Sequence, residues 1–401
     1  MTRKKKKLKA VRAAEARKKR RNRKRKRAVI LVLEIIILLL LLATAYVMAK
    51  YDKFQTIEIN SGDISINDGA EKEGYTTIAL FGTDSRTGEV EAGTRTDTII
   101  IASIDNTTKE IRLASVYRDT LLEQENLSYN KANSAYSVGG PQGAINMLNK
   151  NLDLDIEDYV TVDFKAMSDV IDLLGGLELY VTEAEANMLN EYVEETAKAA
   201  GKEAHMLSGE GTYLLDGPQA VTYARLRKLE GGDYKRAERQ RTVIKGLFEK
   251  IKKIDLATLN EIIDTVFPQV STSFKLSEIV DLASDVMSYK LKENEGFPFE
   301  KTDAVRYKNA SVVIALGLAE NVEELHEFLY PSEENEGVSD TVQQISDNIS
   351  YLTGVVRPSS LDEENVDGEE STEGVPIITH SGNGTSETLS DEETLSEETI
   401  Y

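Results

Sequence analysis

Four charged residues bracket one short stretch: Arg95 and Asp97 precede a run of three isoleucines, and Arg118 and Asp119 follow a second, alternating run. Arginines beside carboxylates, with no thiol nearby, suit the handling of phosphate. The planar guanidinium grips two phosphate oxygens at once, and carboxylates hold a hard cation such as Mg²⁺ or Mn²⁺ jointly with the same phosphates. Asp84 supplies a second carboxylate, so Asp84 and Asp97 flank one loop as a candidate metal pair. A second cationic stretch, from Arg225 to Arg241, holds seven basic residues against three acids. Arg225 and Arg227 share one side if that segment is extended, while Arg236, Arg239 and Gln240 share one face of a helix. The competing reading of both clusters is a set of surface ion pairs.

Composition removes other chemistries. The 401 residues include no Cys, which excludes disulfides, thiolate metal sites and a thiol nucleophile. The three histidines, His205, His326 and His380, are far apart in sequence and match neither a zinc-ligand spacing nor a Ser-His-Asp triad.

The elements that must position these residues follow from pattern. Thr98 to Ile104 and Glu110 to Val116 read as a β-hairpin turning at Asp105 to Lys109, which brings Arg95 and Asp97 beside Arg118 and Asp119. Thr76 to Phe81 reads as a buried strand delivering Asp84 at its end, with Gly82 expected to permit a sharp turn. Pro141 suits the first turn of a helix over 142–151, followed by a strand at 159–162, a helix at 164–174 ended by Gly175-Gly176, and a strand at 177–181. This alternation indicates an α/β/α sandwich with a central mixed β-sheet. Met167, Val170, Ile171 and Leu174 form an apolar helical stripe, either core or the wall of a lipid-tail cavity. Asp216-Gly217-Pro218 is expected to cap the helix before it, and Asp233 the helix after it.

Charge divides the chain into segments. Residues 1–27 hold 17 Lys or Arg and one acid, Glu15, ahead of a 22-residue apolar run over 28–49 broken only by Glu34. As a helix that run spans about 33 Å, enough for a bilayer core of about 30 Å. It is expected to be an uncleaved transmembrane signal anchor. Its basic arm would stay cytoplasmic against anionic lipid, and the remainder would lie outside a Gram-positive cell membrane. The same placement makes nucleic acid an unexpected partner for the arm. Beyond residue 27 there are 31 basic against 68 acidic residues. Residues 50–74 read as a stalk, 75–330 as the folded domain, and 331–401 as an acidic, disordered tail, in which 358–401 has 13 acids and neither Lys nor Arg.

Six ordered fragments carry a family resemblance: GTDSR at 82–86, RTDTIII at 95–101, SVYRDT at 115–120, KANSAY at 131–136, LLGGLELYV at 173–181, and LDGPQAVTYARLR running on to DYKRAERQ. Together they resemble the LytR-CpsA-Psr family of cell-envelope proteins. The resemblance implies a phosphotransferase that moves an anionic glycopolymer (teichoic acid, capsule or another wall polysaccharide) from a polyprenyl-pyrophosphate donor to the 6-hydroxyl of N-acetylmuramic acid in peptidoglycan. Polyprenyl phosphate leaves. Carried over by motif, Asp84 and Asp97 would hold Mg²⁺, and Arg95, Arg118, Arg225 and Arg227 would surround the pyrophosphate. Arg236, Arg239 and Gln240 would complete the site, with Lys131 and Asp233 organising it. Whether Asp97 is also a general base stays open. Tyr117 departs from the family pattern, since many members have Pro there. Two other readings share the resemblance: a hydrolase of prenyl pyrophosphate, and a non-catalytic envelope protein or transcription attenuator.

Overall fold

The computed structural model describes residues 41, 44–53, 55–56, 59, 61–83, 96–333 and 337–358. The basic arm, most of the segment 28–49, Asp84, Arg95 and residues 359–401 lie outside these, and among the described residues no helix is long and apolar enough to cross a membrane.

A mixed seven-stranded sheet runs in the order β1 (Gln55–Thr56), β10 (Val270–Thr272), β7 (Asp158–Asp163), β2 (Tyr75–Thr83), β3 (Thr96–Asp105), β4 (Glu110–Val116) and β11 (Lys290–Phe297). The expected hairpin is β3–β4, with Ile100 paired to Ser115 and Ile104 to Ile111. Its three isoleucines divide by the strand's period of two. Ile99 and Ile101 join Phe81 and Tyr136 in the largest apolar cluster, while Ile100 faces the other way toward Ile244. Both sheet faces are therefore covered by helices, as a sheet with apolar residues on both faces requires.

Helices α1 (Asn133–Leu152), α8 (Leu318–Leu329) and α9 (Asp340–Thr353) cover the first face. Gly140 breaks α1 with φ 62°, and Pro141 restarts it. The second face carries α2 (Phe164–Leu173), α4 (Gly217–Arg225), α5 (Gly232–Ile251), α6 (Leu256–Thr265) and α7 (Leu276–Ser284). Between α2 and α4 the chain forms α3 (Glu183–Ala200), flanked by β8 (Leu177–Val181) and β9 (Gly211–Leu215). These two strands pair only with each other, as do β5 (Leu121–Glu123) and β6 (Tyr129–Lys131).

Several expectations need correction. The stalk is part of the fold: β1 pairs with β10, Ile59 and Ile64 pack on the core, and Asn67 donates to the Lys150 carbonyl at 3.0 Å. Nor does the tail begin at 331, because α9 buries Val342, Ile345 and Ile349 in the core. Each such burial is worth roughly 1.5–3 kcal/mol, enough to hold a helix made mostly of polar residues. Asp216 caps the helix after it, α4, accepting from the Gln219 N–H at 2.9 Å. Gly82 makes no turn; it lies inside β2, where a Cβ would sit 2.9 Å from that of Thr98.

Candidate functional site

The hairpin register continues past the last ladder pair and sets Asp97 opposite Arg118, which donates from Nη1 to the Asp97 carboxylate. Arg118 Nε, buried and 3.7 Å from Asp119 Oδ1, makes no hydrogen bond among the described residues. Lys131, at the end of β6, pairs with Asp119 at 3.2 Å. Burial opposes the charge on Arg118, but Asp97, Asp119 and Asp233 outweigh it, so its pKa is raised.

The facing wall is the first turns of α5. Asp233 does not cap this helix, whose N-cap is Gly231. Its carboxylate instead takes Arg227 at 2.9 and 3.1 Å, and Arg236 Nη2 lies 3.1 Å from its Oδ1. Arg236 is 5 % exposed and its Nε has no hydrogen-bond partner among the described residues. Burial first, and then the nearby charge of Arg118, lower its pKa. Asp97, Arg118, Asp233, Arg236 and Gln240 share one small cleft. Two guanidiniums thus sit close together with donors still unspent, the arrangement an incoming polyanion would complete.

Gln240 also belongs to the wall of a much larger apolar cavity, of about 240 Å³. Leu80, Ile100, Val160 and Val162 form its sheet side, and Phe164, Met167, Val221 and Val243 its helical side. The missing Cβ of Gly82 leaves room at this wall. Asp163 caps α2 by accepting from the Ala166 N–H at 2.7 Å, which fixes where Phe164 and Met167 enter the cavity. Arg225, the last residue of α4, lies 4.2 Å from the Phe164 ring centre and donates to Thr196 at 3.3 Å. It lines the apolar cavity and also a polar one of about 220 Å³ shared with Arg227, Lys228 and Tyr192.

Of the residues singled out in the sequence, Asp97, Arg118, Arg236 and Gln240 meet in one cleft, and Arg225 stands at the cavity wall they border. Arg227 is reached through Asp233, and Lys131 through Asp119. Arg239 goes elsewhere: 7 % exposed, it pairs with Glu185 at 2.7 Å and donates to the Leu226 carbonyl at 3.3 Å. Its helical spacing matched the site, but Glu185, part of the cap of α3, claims it. Of the apolar stripe, Met167 lines the cavity while Ile171 is fully buried core. Sequence reasoning missed Phe164 and Lys228; a Phe directly after a capping Asp was the only signal for the former.

For a divalent metal, Asp84 and Arg95 lie outside the described residues. Thr83 and Thr96, the described residues on either side of 84–95, are paired neighbours across β2 and β3, next to Asp97. Both threonine hydroxyls are buried and find no partner among the described residues. Among the described residues no three His, Cys, Asp or Glu side chains are grouped to hold a metal ion; Asp97 and these hydroxyls are oxygen donors of the kind a hard cation takes.

Residues 42–325 match the model of the LytR_cpsA_psr family. The polyisoprenyl-teichoic acid–peptidoglycan teichoic acid transferase TagU of Enterococcus faecalis is 28 % identical over 248 residues, 60 % of this chain and 75 % of that protein. The corresponding TagV of Bacillus subtilis is 29 % identical over 189 residues, 46 % of each chain. In fold, a crystal structure titled as a transcriptional regulator from Enterococcus faecalis superposes with a TM-score of 0.55 at 22 % identity, covering 74 % of this chain and all of that one. A structure titled TagT bound to LI-WTA gives 0.52 at 21 % identity, covering 68 % of this chain and 99 % of that one. With the hairpin, the arginine cleft and the match over 42–325 in agreement, the chain belongs to the LytR-CpsA-Psr family.

Proposed function

We propose that this protein is a transferase that moves a glycopolymer from a polyprenyl-pyrophosphate donor onto peptidoglycan, at the 6-hydroxyl of N-acetylmuramic acid. One observation carries the reading: an apolar cavity bordered by a cleft of arginines whose Nε donors are unspent. Such a site suits a ligand that is a hydrocarbon at one end and a pyrophosphate at the other. The names of relatives such as TagU agree with it.

In the proposed reaction the acceptor oxygen attacks the phosphorus that carries the glycopolymer. The bond from that phosphorus to the bridging oxygen breaks, polyprenyl phosphate departs with the bond's electrons, and the hydroxyl proton passes to a base. Phosphoryl transfer depends on positioning and charge neutralisation more than on a protein nucleophile, which a chain without Cys satisfies. Arg118 and Arg236 grip phosphate oxygens, Arg225 holds the junction between tail and head, and Gln240 orients the group between them. Arg227 and Lys131 keep Asp233 and Asp119 in place. Asp97, partly released from Arg118 when the anion takes over that guanidinium, faces the acceptor side. Mg²⁺ held by Asp97 and Asp84 would neutralise charge on the pyrophosphate. The apolar cavity shelters the tail from water, which holds the donor in place with its pyrophosphate at the cleft.

The polybasic arm and the apolar run over 28–49 support a single-pass anchor in the cell membrane of a Gram-positive bacterium, with the domain outside. That places the cavity near the bilayer holding its lipid donor. Incubating the full-length protein with a lipid-linked donor, peptidoglycan and Mg²⁺ tests the function. A covalent polymer–muramic acid product is expected; release of free phosphorylated polymer alone would make it a hydrolase.

A further inference from the structure

Beside the arginine cleft, three side chains from distant parts of the sequence form a stack. Tyr117, directly after β4, is 8 % exposed, and its N–H donates to the Phe297 carbonyl at 3.0 Å, extending the pairing of β4 with β11. Its ring lies against β11 at Gly296, where a Cβ would come within 2.1 Å of the hydroxyl and 2.6 Å of Cζ. Only glycine leaves the ring that space. On its other side the ring meets Tyr234 edge to face, 4.7 Å between centres, and packs on Ala237. The Lys301 ammonium sits 5.1 Å from both ring centres and donates to the Phe299 carbonyl at 3.0 Å. The Tyr234 hydroxyl donates to Asp303 at 3.1 Å.

The stack is placed where the cleft needs support. Tyr117 immediately precedes Arg118, and Tyr234 and Ala237 straddle Arg236 on α5. Asp233 attracts both guanidiniums and pairs with Arg236 at 3.1 Å, while the charge of Arg118 opposes that of Arg236, and each guanidinium keeps a buried Nε with no partner among the described residues. These pairings leave their mutual spacing free to drift, by rotation of Arg118 or by a shift of the start of α5 on the sheet. A buried aromatic ring, fixed by β11 on one side and by Tyr234 on the other, has only two side-chain torsions and cannot relax to let this happen. Lys301 adds a cation–π contact to both rings at once and ties the stack to a third segment.

We propose that Tyr117, with Tyr234 and Lys301, is a positioning element that holds Arg118 and Arg236 at the spacing needed to grip the two phosphates of a pyrophosphate. Tyr117 lines the cleft with its ring and offers it no charge, so its part is to set where the arginines stand. It acts by fixing their spacing, so the site meets its ligand already assembled. The proposal rests on the transferase reading above.

The test uses the full-length protein in detergent, with two measurements on each variant: calorimetric binding of inorganic pyrophosphate, and turnover of a lipid-linked donor. Melting temperature is followed in parallel. Tyr117→Phe keeps the ring and should stay within about threefold of the parent in both. Tyr117→Leu keeps an apolar side chain but loses the rigid wedge; turnover should fall by about 10- to 100-fold, the scale of a misplacement near 1 Å. Pyrophosphate affinity should fall with it, and kcat should suffer more than KM. Lys301→Met should lie between these two. A folded Tyr117→Leu within threefold of the parent in both measurements would overturn the proposal. If Tyr117→Leu does not fold, Gly296→Ala displaces the ring from the β11 side without removing it. A folded Gly296→Ala with parental turnover would overturn the proposal equally. If the parent itself neither binds pyrophosphate nor turns over the donor, it is the transferase reading that fails.

Discussion

The arginines of α5 and those around it divide into two groups that look alike in sequence. Arg118 and Arg236 line the cleft with unspent donors, whereas Arg239, as buried as Arg236, is committed to Glu185 and the Leu226 carbonyl; Arg241, away from the cleft, donates to Asn294 from Nε and keeps a buried Nη1 without a partner among the described residues. One turn of helix separates a candidate ligand-gripping group from a structural one. The difference is made by what faces each arginine. Opposite Arg236 stand another cation and a carboxylate already shared; opposite Arg239 stand a carboxylate and a carbonyl that satisfy it. Burial of an arginine alone therefore says little about function, and an unspent buried donor says more only where, as at Arg118 and Arg236 but not at Arg241, it borders a cleft a ligand could enter.

The sharpest way to break this comparison is at Asp97. Asp97→Asn keeps the shape but removes the charge that partners Arg118 and that would hold the metal. Turnover should fall more than about 10³-fold, while melting should change little, because the residue is partly exposed at a sheet end. Full turnover, or full turnover in chelator, would exclude a metal site here.

Arg118→Lys comes next. It keeps the charge but loses the planar fork, so turnover should drop by about 10²- to 10³-fold with folding intact. Near-normal turnover would move Arg118 into the same structural group as Arg239.

Much of this was legible before any coordinates. The isoleucine run of 98–104, the turn residues of 105–109 and the alternation of 110–116 made the hairpin legible, and the hairpin register alone brought Asp97 to Arg118. The α/β alternation from 141 to 181 was also legible, because each element carries its own turn and cap signals. What could not be read depends on long-range partners. No local pattern says that Glu185 takes Arg239, that β8 leaves the main sheet to pair with β9, or that Lys301 reaches Tyr117. The stalk and tail were misread for a related reason: few apolar residues look like disorder until a core exists on which Ile64 or Val342 can dock.

On the structural side, Arg239→Met should cost about 3 kcal/mol of stability, at the low end for breaking a buried pair, since Glu185 would be left half-buried without its cation. Inorganic pyrophosphate affinity should change less than tenfold. A large loss of affinity with unchanged melting would reverse the assignment and place Arg239 in the cleft.

The smallest effect expected is a pH dependence that belongs to the core and not to the site. Arginines keep their charge at any ordinary pH, so the cleft itself should be silent between pH 5 and 7. His326 is not: it is buried, with Nε2 2.9 Å from the Leu152 carbonyl. Burial, and secondarily the charge of Lys72, hold its pKa below the usual histidine value, with the Leu152 carbonyl and Asp153 opposing. The unfolded chain then binds more protons than the folded one as pH falls below about 6.5, so stability is complete above that value and declines as pH drops toward the lowered folded pKa. His205 works in the opposite direction, its pKa raised by the hydrogen bond to Asp216, but it is exposed and screened. Comparing thermal unfolding from pH 7 to pH 5 for the parent and for His326→Gln isolates the buried group, since His205 is common to both. The parent should lose stability more steeply than the variant, while pyrophosphate, whose own charge changes in this range, should bind parent and variant equally at each pH. Equal slopes would mean that His326 titrates in the folded core as it does in the unfolded chain.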